Sequence, residues 1–281
     1  MIIVKVWGGI GNQLFQYVFG QYLHHKSGQD VYYDDGAYIS NDKLRNSELN
    51  AVDAIILFKN ECIFSRYRGV KNRLLRFLFQ LHPYHHFVSE DLGLIPEVFN
   101  PSHLYFFQGY WQDYKYYKWL IDNVPSFKLQ IKAMPSELEG IQELIRKSCG
   151  SVSIHIRRGD YFTPKNVKLY GVCDATYYEK ALDYLIAKNP EINVFVFTDD
   201  IEWVKNNIHF TVPYTIVPNY DVSQFAYIEL MSKCAHHIIS NSSFSWWGAV
   251  INESENAIVI SPSKWKLNTD KTIALDKWVK M

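Results

Sequence analysis

Two arginines, a histidine and an aspartate follow an apolar run near the middle of the chain, in the segment HIRRGD at residues 155–160. If Val152–Ile156 forms a strand, alternate side chains share a face, which brings the histidine and the first arginine together at its carboxyl end. Open α/β sheets bind ligands at that end, and guanidinium groups bind phosphate oxygens through paired hydrogen bonds. The segment therefore predicts a diphosphate site. Ion pairs of Arg157 and Arg158 with carboxylates such as Asp160 account for the same residues equally well.

A pair of aspartates ends a second apolar run, in the segment FTDD at residues 197–200. If Val194–Thr198 forms the neighbouring strand, Asp199 and Asp200 lie at the same edge of the sheet as the arginines. A carboxylate there can accept hydrogen bonds from the ring N–H and the exocyclic amine of guanine. The alternative is a cap for the helix that starts near Ile201, and two aspartates can fill both roles.

A serine-rich segment, NSSFSWWGA at residues 241–249, follows a third apolar run. Hydroxyl groups and the free backbone N–H groups at the start of a helix bind anions, so this segment predicts a further contact for a diphosphate. The alternative is a serine cap over a core of two tryptophans. The candidate ligand contacts in this segment are Asn241, Ser242, Ser243, Phe244 and Ser245.

Apolar runs separated by helix-like segments indicate how the second half of the chain positions these residues. Asp174 and Ser223 are suitable N-caps for helices that run through Leu185 and Met231. Strands that alternate with helices predict a parallel sheet covered on both faces. The predicted strands are Val152–Ile156, Val194–Thr198, Tyr214–Val217, His236–Ser240 and Ala257–Ser261.

The first half of the chain opens with the same alternation. A strand at Ile2–Val6, a glycine turn and a helix over Asn12–His25 are followed by a second strand near Val31. Residues 40–108 are predicted to be mostly helix and loop. We therefore predict two Rossmann-type α/β domains that face each other across a cleft. Their predicted extents are residues 1–145 and residues 146–281.

Length, charge and cysteine content limit the class of protein. The 281 residues suffice for two domains, and 29 basic residues balance 29 acidic ones, so we expect no nucleic-acid partner. Four cysteines at wide spacings, without a CxxC pair, predict reduced thiols in a cytoplasmic protein and no structural metal. The apolar start Met1–Val6 is too short for a secretory signal.

Five segments together carry a family resemblance. In chain order they are GGIGNQLFQY (8–17), GYWQDYKYY (109–117), HIRRGDY (155–161), FTDD and NSSFSWWGA. With these segments the chain resembles, over essentially its whole length, the α1,2-fucosyltransferases of glycosyltransferase family 11. The resemblance implies a GT-B-like fold and inverting, metal-independent transfer of L-fucose from GDP-β-L-fucose. It also implies, as acceptor, the 2-hydroxyl of a β-linked galactose in a glycan such as the lipid-linked glycans of O-antigen biosynthesis.

Carried over residue by residue, the resemblance implies a role for each matching position. Arg157 contacts the β-phosphate of the donor and is catalytic, Arg158 is a second donor contact, and His155 lies beside the guanine. Asp199, with Asp200 as second choice, reads the base. The resemblance also implies that Ser243, Phe244 and Ser245 surround the pyrophosphate and ribose, and that Asn12 and Gln13 orient the acceptor or the donor sugar.

The proposed chemistry requires stabilisation of the negative charge that develops on the departing diphosphate, which cations and hydrogen-bond donors of the protein can supply. The sequence contains no DxD triplet, the motif that holds a divalent ion in the other large glycosyltransferase fold, so we expect neither a metal nor another cofactor. Asp160 is the candidate general base for the acceptor hydroxyl, and it can equally hold Arg157 or Arg158 in place. Further candidates for the base are His24, His25, Glu90 and Glu229.

A basic segment precedes the centre of the chain. Cys62 to Ser89 contains no acidic residue, and basic and apolar residues interleave over residues 66–81. This pattern predicts a basic amphipathic helix that can lie on the anionic inner face of a membrane. The alternative is a helix whose apolar face packs on the domain while its basic face meets water.

Other functions fit parts of the sequence. Gly9-x-Gly11 after a strand, with Asp34 and Asp35 further on, imitates the fingerprint of nicotinamide-dependent oxidoreductases, but Leu14 stands where the third glycine belongs. A glycan-binding protein without turnover would keep the same fold. A transferase of another GDP-6-deoxysugar is the alternative that shares most of the motifs.

Overall fold

The computed structural model describes residues 1–36, 38, 46–58, 70–92, 95–252 and 254–281. The chain divides into two compact units, Met1–Lys132 and Ala133–Met281. Each unit is built on a parallel sheet flanked by helices. The predicted fold class, two parallel-sheet α/β domains, is therefore confirmed. In the part of the chain that the structure describes, no helix has the length and apolar character needed to cross a membrane.

The first unit contains a five-stranded sheet in the order β3-β2-β1-β5-β4, whose strand pairs are parallel. Long helix α1 follows β1 directly and is buried along much of its length. The strands are β1 (Ile2–Lys5), β2 (Val31–Asp34), β3 (Leu57–Phe58), β4 (His85–Ser89) and β5 (Leu104–Gln108). The described helices are α1 (Ile10–Ser27), α2 (Val70–Gln80) and α3 (Tyr114–Asn123).

The middle of this unit differs from the sequence prediction, because β3, β4 and β5 lie within residues 40–108, which were predicted to be mostly helix and loop. Strand β5 is a short apolar run, LYFFQ, with three consecutive buried residues. Runs of this length do not distinguish a buried strand from a piece of buried helix. Strand β4 is an edge strand whose sequence, HHFVS, begins with two histidines and lacks clear alternation.

The second unit contains a six-stranded sheet in the order β11-β10-β9-β6-β7-β8, again with parallel pairs. Its strands are β6 (Ser151–Ile156), β7 (Asn193–Thr198), β8 (Tyr214–Ile216), β9 (His236–Ile238), β10 (Val259–Ser261) and β11 (Val279–Lys280). Its helices are α4 (Ser136–Lys147), α5 (Pro164–Tyr170), α6 (Ala175–Ile186), α7 (Ile201–Asn207), α8 (Gln224–Ser232) and α9 (Ser243–Val250). The units divide after Lys132, so α4 belongs to the second unit. The predicted boundary at residue 145 had placed most of this helix in the first domain.

The alternation predicted for β6 is observed. Val152, Ile154 and Ile156 are buried in the core cluster that also contains residues of α6. The predicted caps are confirmed as well: the Asp174 side chain accepts a hydrogen bond from the backbone N–H of Tyr177, and Ser223 caps the helix that follows it in the same way. Apolar periodicity and capping residues therefore determine this unit locally.

Strand order places the motifs at equivalent points of the two sheets. In the first sheet the order reverses at β1, which lies between β2 and β5, and in the second it reverses at β6, which lies between β7 and β9. Ligands of open α/β sheets bind outside the carboxyl ends of the strands at such a switch point. In the first sheet, the glycine loop (GGIGNQ, residues 8–13) follows β1 and the GYWQ segment (109–112) follows β5. In the second sheet, the RRGD loop (157–160) follows β6 and the NSSF segment (241–244) follows β9.

Candidate active site

Asp199, which directly follows the neighbouring strand β7, makes two contacts with the loop after β6. Asp199 Oδ2 lies 2.9 Å from Arg157 Nη1, and Asp199 Oδ1 accepts a hydrogen bond of 2.8 Å from the backbone N–H of Arg158. Gly159 permits this approach, because a Cβ at that position would lie 2.6 Å from Asp199 Oδ2. The Arg157 side chain stays 31% exposed, so its guanidinium can still reach a ligand.

Arg158 is enclosed by protein. Its guanidinium carbon lies 4.1 Å from the ring centre of Phe162 and 3.8 Å from that of Trp203, and only 14% of the side chain is exposed. Its Nε donates to Asp200 Oδ2 at 3.2 Å. Asp200 Oδ1 accepts from the backbone N–H of Trp203 and caps α7. The ion pairs and the helix cap that the sequence offered as alternatives are therefore present for both arginines and for Asp200.

His155 lies at the seam between β6 and the segment after β9. It is 5% exposed, its Nδ1 lies 2.9 Å from Ser240 Oγ, and its ring centre is 5.1 Å from that of Phe244. Burial, reinforced by the positive charge of Arg157, lowers the pKa of His155 to about 3. The imidazole is therefore neutral near pH 7 and can donate or accept a hydrogen bond without adding charge.

The segment after β9 forms a tightly bonded start of α9. Ser242 caps the helix by accepting from the backbone N–H of Phe244, and Ser245 is fully buried and donates to the carbonyls of Ser240 and Ser242. Of the predicted contacts in this turn, Ser243 and Phe244 keep part of their surface exposed. The cap over a tryptophan core is observed, because Trp246 and Trp247 are fully buried beneath it.

Asn241 also serves the protein itself. Its Nδ2 donates to the carbonyls of Tyr170 and Trp265, at 2.9 and 3.3 Å, and it is 4% exposed. Its own carbonyl accepts from the Tyr161 hydroxyl. Asn241 thus ties the start of α9 to the loop after β6.

The candidate general bases are placed differently from one another. Asp160 belongs to a 3-10 turn, Gly159–Phe162, directly beside Arg158, but its side chain lies outside what the structure describes. His24 and His25 lie in the last turn of α1, at the opposite end of that helix from the glycine loop. Glu229 forms an ion pair with Lys233 in α8.

The glycine loop after β1 meets the segment after β5. Gly8 has a φ of 87°, a conformation that favours glycine. Asn12, in the first turn of α1, accepts a hydrogen bond of 2.8 Å at its Oδ1 from Gln112 Nε2. The structure thus joins the GGIGNQ and GYWQ segments at the switch point of the first sheet.

Two buried glutamines hold this loop in place. Gln13 is fully buried, and its amide bonds to the carbonyls of Gly8 and Asn46 and to the N–H of Glu48. Gln16 links the N–H of Trp7 to the carbonyl of Gly109. Gln13 was predicted to orient a sugar, but its hydrogen-bonding groups are all directed at backbone. Asn12 is the more accessible of the two predicted residues.

An aromatic surface borders this edge. Trp7 and Tyr110 have ring centres 4.9 Å apart, and Tyr110 is 37% exposed. Glu90 supports Tyr110 by accepting from its backbone N–H at 2.6 Å. Exposed aromatic faces next to amide side chains suit the stacking and hydrogen bonding of a sugar ring.

Sequence reasoning missed several residues of these two edges. Gln16 and Gln112 lie inside segments that carried the family resemblance, so the segments themselves were the available signal. Ser240, Phe162 and Trp203 gave no signal, because their roles depend on contacts between distant segments. No group of three or more metal-ligating side chains occurs within the described part of the chain.

A family model and two full-length relatives match essentially the whole chain. The model of glycosyl transferase family 11 matches residues 1–281. The O-antigen biosynthesis glycosyltransferase WbnK of Escherichia coli is 32% identical over 299 residues, covering 98% of each chain. An alpha-1,2-colitosyltransferase of Escherichia coli is 29% identical over 298 residues, covering 100% of this chain and 99% of the relative. Human galactoside alpha-(1,2)-fucosyltransferase 1 is 30% identical over 104 residues, which are 36% of this chain and 28% of that protein.

A solved structure shares the fold. The fucosyltransferase NodZ from Bradyrhizobium superposes with a TM-score of 0.56 at 12% identity, over 89% of this chain and 92% of that one. NodZ, an alpha-1,6-fucosyltransferase, has also been co-crystallised with GDP. At this level of identity the likeness concerns the fold alone.

Proposed function

Because the chain belongs to glycosyltransferase family 11, we propose that it transfers L-fucose from GDP-β-L-fucose to the 2-hydroxyl of a β-linked galactose, with inversion and without a metal ion. Membership of this family removes the nicotinamide-dependent alternative. The observation that carries the proposal is the position of Arg157: its partly exposed guanidinium lies at the switch point of the second sheet, beside the neutral imidazole of His155.

The proposed reaction exchanges one bond at the anomeric carbon for another and moves one proton. The acceptor 2-hydroxyl oxygen attacks the anomeric carbon of fucose, the bond from that carbon to the β-phosphate oxygen breaks, and GDP leaves with the electron pair. The hydroxyl proton passes to a base, for which Asp160 remains the candidate. Negative charge grows on the β-phosphate as the bond breaks, and we assign its stabilisation to Arg157 and to backbone N–H groups at the start of α9.

Binding of the diphosphate changes what Arg157 contacts. In the structure its partner is Asp199, and both groups are partly exposed, so exchanging this carboxylate for a phosphate carries a small cost. Asp199 would still hold the loop through the Arg158 N–H. Each carboxylate oxygen has two lone pairs, so Asp199 can keep that contact and also accept from guanine, and Asp200 is the second choice for the base.

The acceptor side of the proposal rests on the first unit. The Asn12–Gln112 pair supplies amide groups for sugar hydroxyls, and the Trp7–Tyr110 surface supplies an aromatic face. A galactose ring has an apolar face that stacks on such surfaces. The human relative acts on galactosides, and the WbnK relative acts in O-antigen biosynthesis, which supports a galactose-containing glycan as the acceptor class.

The experiment that tests this function combines GDP-fucose with a panel of β-galactosides in EDTA and determines the new linkage by NMR. The expected product carries fucose α1,2-linked to galactose, formed at the same rate with and without EDTA. Loss of activity in EDTA with recovery on adding manganese would contradict the metal-free mechanism. A product linked at another hydroxyl would contradict the acceptor assignment.

A second donor deserves the same test, because a colitosyltransferase is 29% identical over the whole chain. The alternative function is transfer of colitose, another deoxy sugar, from its GDP derivative. Competition between the two GDP-sugars for one acceptor, measured as the ratio of kcat/KM, separates the alternatives. A ratio above one for GDP-fucose supports the proposal, and a ratio below one replaces it with the colitose reaction.

A further inference from the structure

Helix α2 presents an apolar face to solvent. Leu74, Phe77, Leu78 and Leu81 are 58%, 59%, 51% and 62% exposed. Their spacing of three, four and seven residues places them on one side of the helix and of the turn that follows it. A contiguous apolar surface of this kind on a folded protein indicates an interaction site, whereas single exposed leucines do not.

The opposite side of α2 makes the contacts with the sheet. Phe79 packs with the cluster around Ile3 and Phe106. Arg76 lies over the ring of Phe87, 4.8 Å from its centre, and donates to Gln108 at 2.8 Å. The sequence left open an alternative in which the apolar face packs on the domain and the basic face meets water. The observed orientation of α2 contradicts that alternative, because Leu74, Phe77 and Leu78 are exposed while Arg76 contacts the sheet.

The sequence of α2 and its flanking residues carries charge of one sign. Arg73 is exposed beside the apolar stripe, and the sequence from Cys62 to Ser89 contains no acidic residue. Lys71 adds to the positive charge of the helix sequence, while the predicted basic residues 66–69 lie outside the described part of the chain. An apolar stripe with an exposed arginine beside it, on a helix whose sequence has no acidic residue, matches a surface that offers both hydrocarbon and negative charge.

We propose that the outer face of α2 binds the surface of an anionic phospholipid bilayer. Leucine and phenylalanine side chains enter the boundary between head groups and acyl chains, and Arg73 meets lipid phosphates. The commitment to a bilayer, rather than to a second copy of this chain, follows from charge. Two copies of this face would bring like charges together, whereas anionic lipid neutralises them.

This inference goes beyond the proposed transfer reaction and can fail independently of it. Reaction of a water-soluble galactoside requires no membrane, so vesicle binding and soluble activity are separate measurements. If both proposals hold, the helix brings the enzyme to the surface at which lipid-linked acceptors are presented.

The test is co-sedimentation of the full-length protein with vesicles made of phosphatidylcholine and phosphatidylglycerol in equal amounts, and with vesicles of phosphatidylcholine alone. We expect binding to the anionic vesicles that weakens as salt is raised, because the Debye length shortens. Phe77→Ser and the double variant Leu74→Ser/Leu78→Ser should each weaken binding to the vesicles about tenfold or more. The first removes one large apolar side chain from the contact with lipid, and the second removes two. Arg73→Gln should weaken binding to anionic vesicles alone.

Matched controls come from exposed apolar residues on other helices. Ile121 in α3 is 43% exposed and Leu144 in α4 is 49% exposed, so Ile121→Ser and Leu144→Ser remove comparable side chains outside α2. These two variants should bind vesicles as the parent protein does. Because all the substituted residues are exposed, circular dichroism and soluble-substrate activity should remain at parent levels in every variant.

Three results would overturn the proposal. The first is equal sedimentation with anionic and neutral vesicles, and the second is unchanged binding by Phe77→Ser and by the double variant. The third is a stable dimer in analytical ultracentrifugation that Phe77→Ser converts to a monomer, which would make a second copy the occupant of this face.

Discussion

Two adjacent arginines should respond in opposite ways to substitution. Replacing Arg157 by alanine removes the guanidinium that faces the proposed diphosphate, and we expect kcat to fall by about 100-fold to 1000-fold, or about 3–4 kcal/mol, as when one preorganised oxyanion donor is lost. Stability should change by less than about 1 kcal/mol, because the ion pair with Asp199 is partly exposed on both sides. Lysine should restore only part of the rate, since it lacks the paired donors of arginine.

Arg158 provides the matched control for this prediction. Its guanidinium lies between the rings of Phe162 and Trp203 and is bonded to Asp200, so Arg158→Ala removes packing as well as charge. We expect the free energy of unfolding to fall by about 2–3 kcal/mol, because desolvated cation–π contacts contribute about 2 kcal/mol or more. The expected fall in kcat at a temperature where the variant is folded is less than about tenfold.

The measurements are steady-state kinetics with GDP-fucose and a soluble β-galactoside, and urea unfolding followed by tryptophan fluorescence. The reasoning would be refuted by the reverse pattern. In that case Arg157→Ala would lower stability and leave kcat near the parent value, while Arg158→Ala would abolish turnover without a change in stability.

Three further predictions follow from buried groups and close contacts. Burial lowers the pKa of His155 and His237 from 6.5 to about 3, so the unfolded chain binds more protons between these values. The free energy of unfolding should therefore fall by about 1.4 kcal/mol per pH unit for each histidine as pH drops through this window, and a flat urea midpoint would contradict this. Asn12→Ala should raise the KM for the acceptor without changing GDP affinity in calorimetry, whereas Gln13→Ala should instead destabilise the protein by about 1–3 kcal/mol in the same urea assay. Gly159→Ala should lower kcat while GDP still binds, because a Cβ would lie 2.6 Å from a carboxylate oxygen; a parent-like kcat would argue against that contact.

The second unit could be predicted from the sequence to a large extent. Strands β6 to β10 are signalled by apolar runs, and Asp174 and Ser223 mark helix starts by their chemistry. These signals are local, since an N-cap or an alternating run depends on neighbours in the chain. The carboxyl-edge position of His155 and Arg157 followed from the same alternation.

Other features depend on contacts that a single sequence does not display. The enclosure of Arg158 by Phe162 and Trp203 brings together three segments, so spacing alone could not distinguish it from Arg157. Strand β4 was missed because its sequence begins with two histidines and lacks the apolar alternation that predicts a strand, although it pairs with β5. The sequence also did not determine which face of α2 points outward, because the helix has apolar residues on both sides. Packing of Phe79 against the sheet decides the orientation and leaves the face with Leu74 and Phe77 exposed.

The most direct test of the central claim is a crystal structure of the protein with GDP. Our account predicts that β-phosphate oxygens lie within hydrogen-bonding distance, about 3 Å, of the Arg157 guanidinium at the carboxyl end of β6, with the start of α9 beside them. A diphosphate bound elsewhere, with Arg157 still paired to Asp199 and no contact to the ligand, would contradict it.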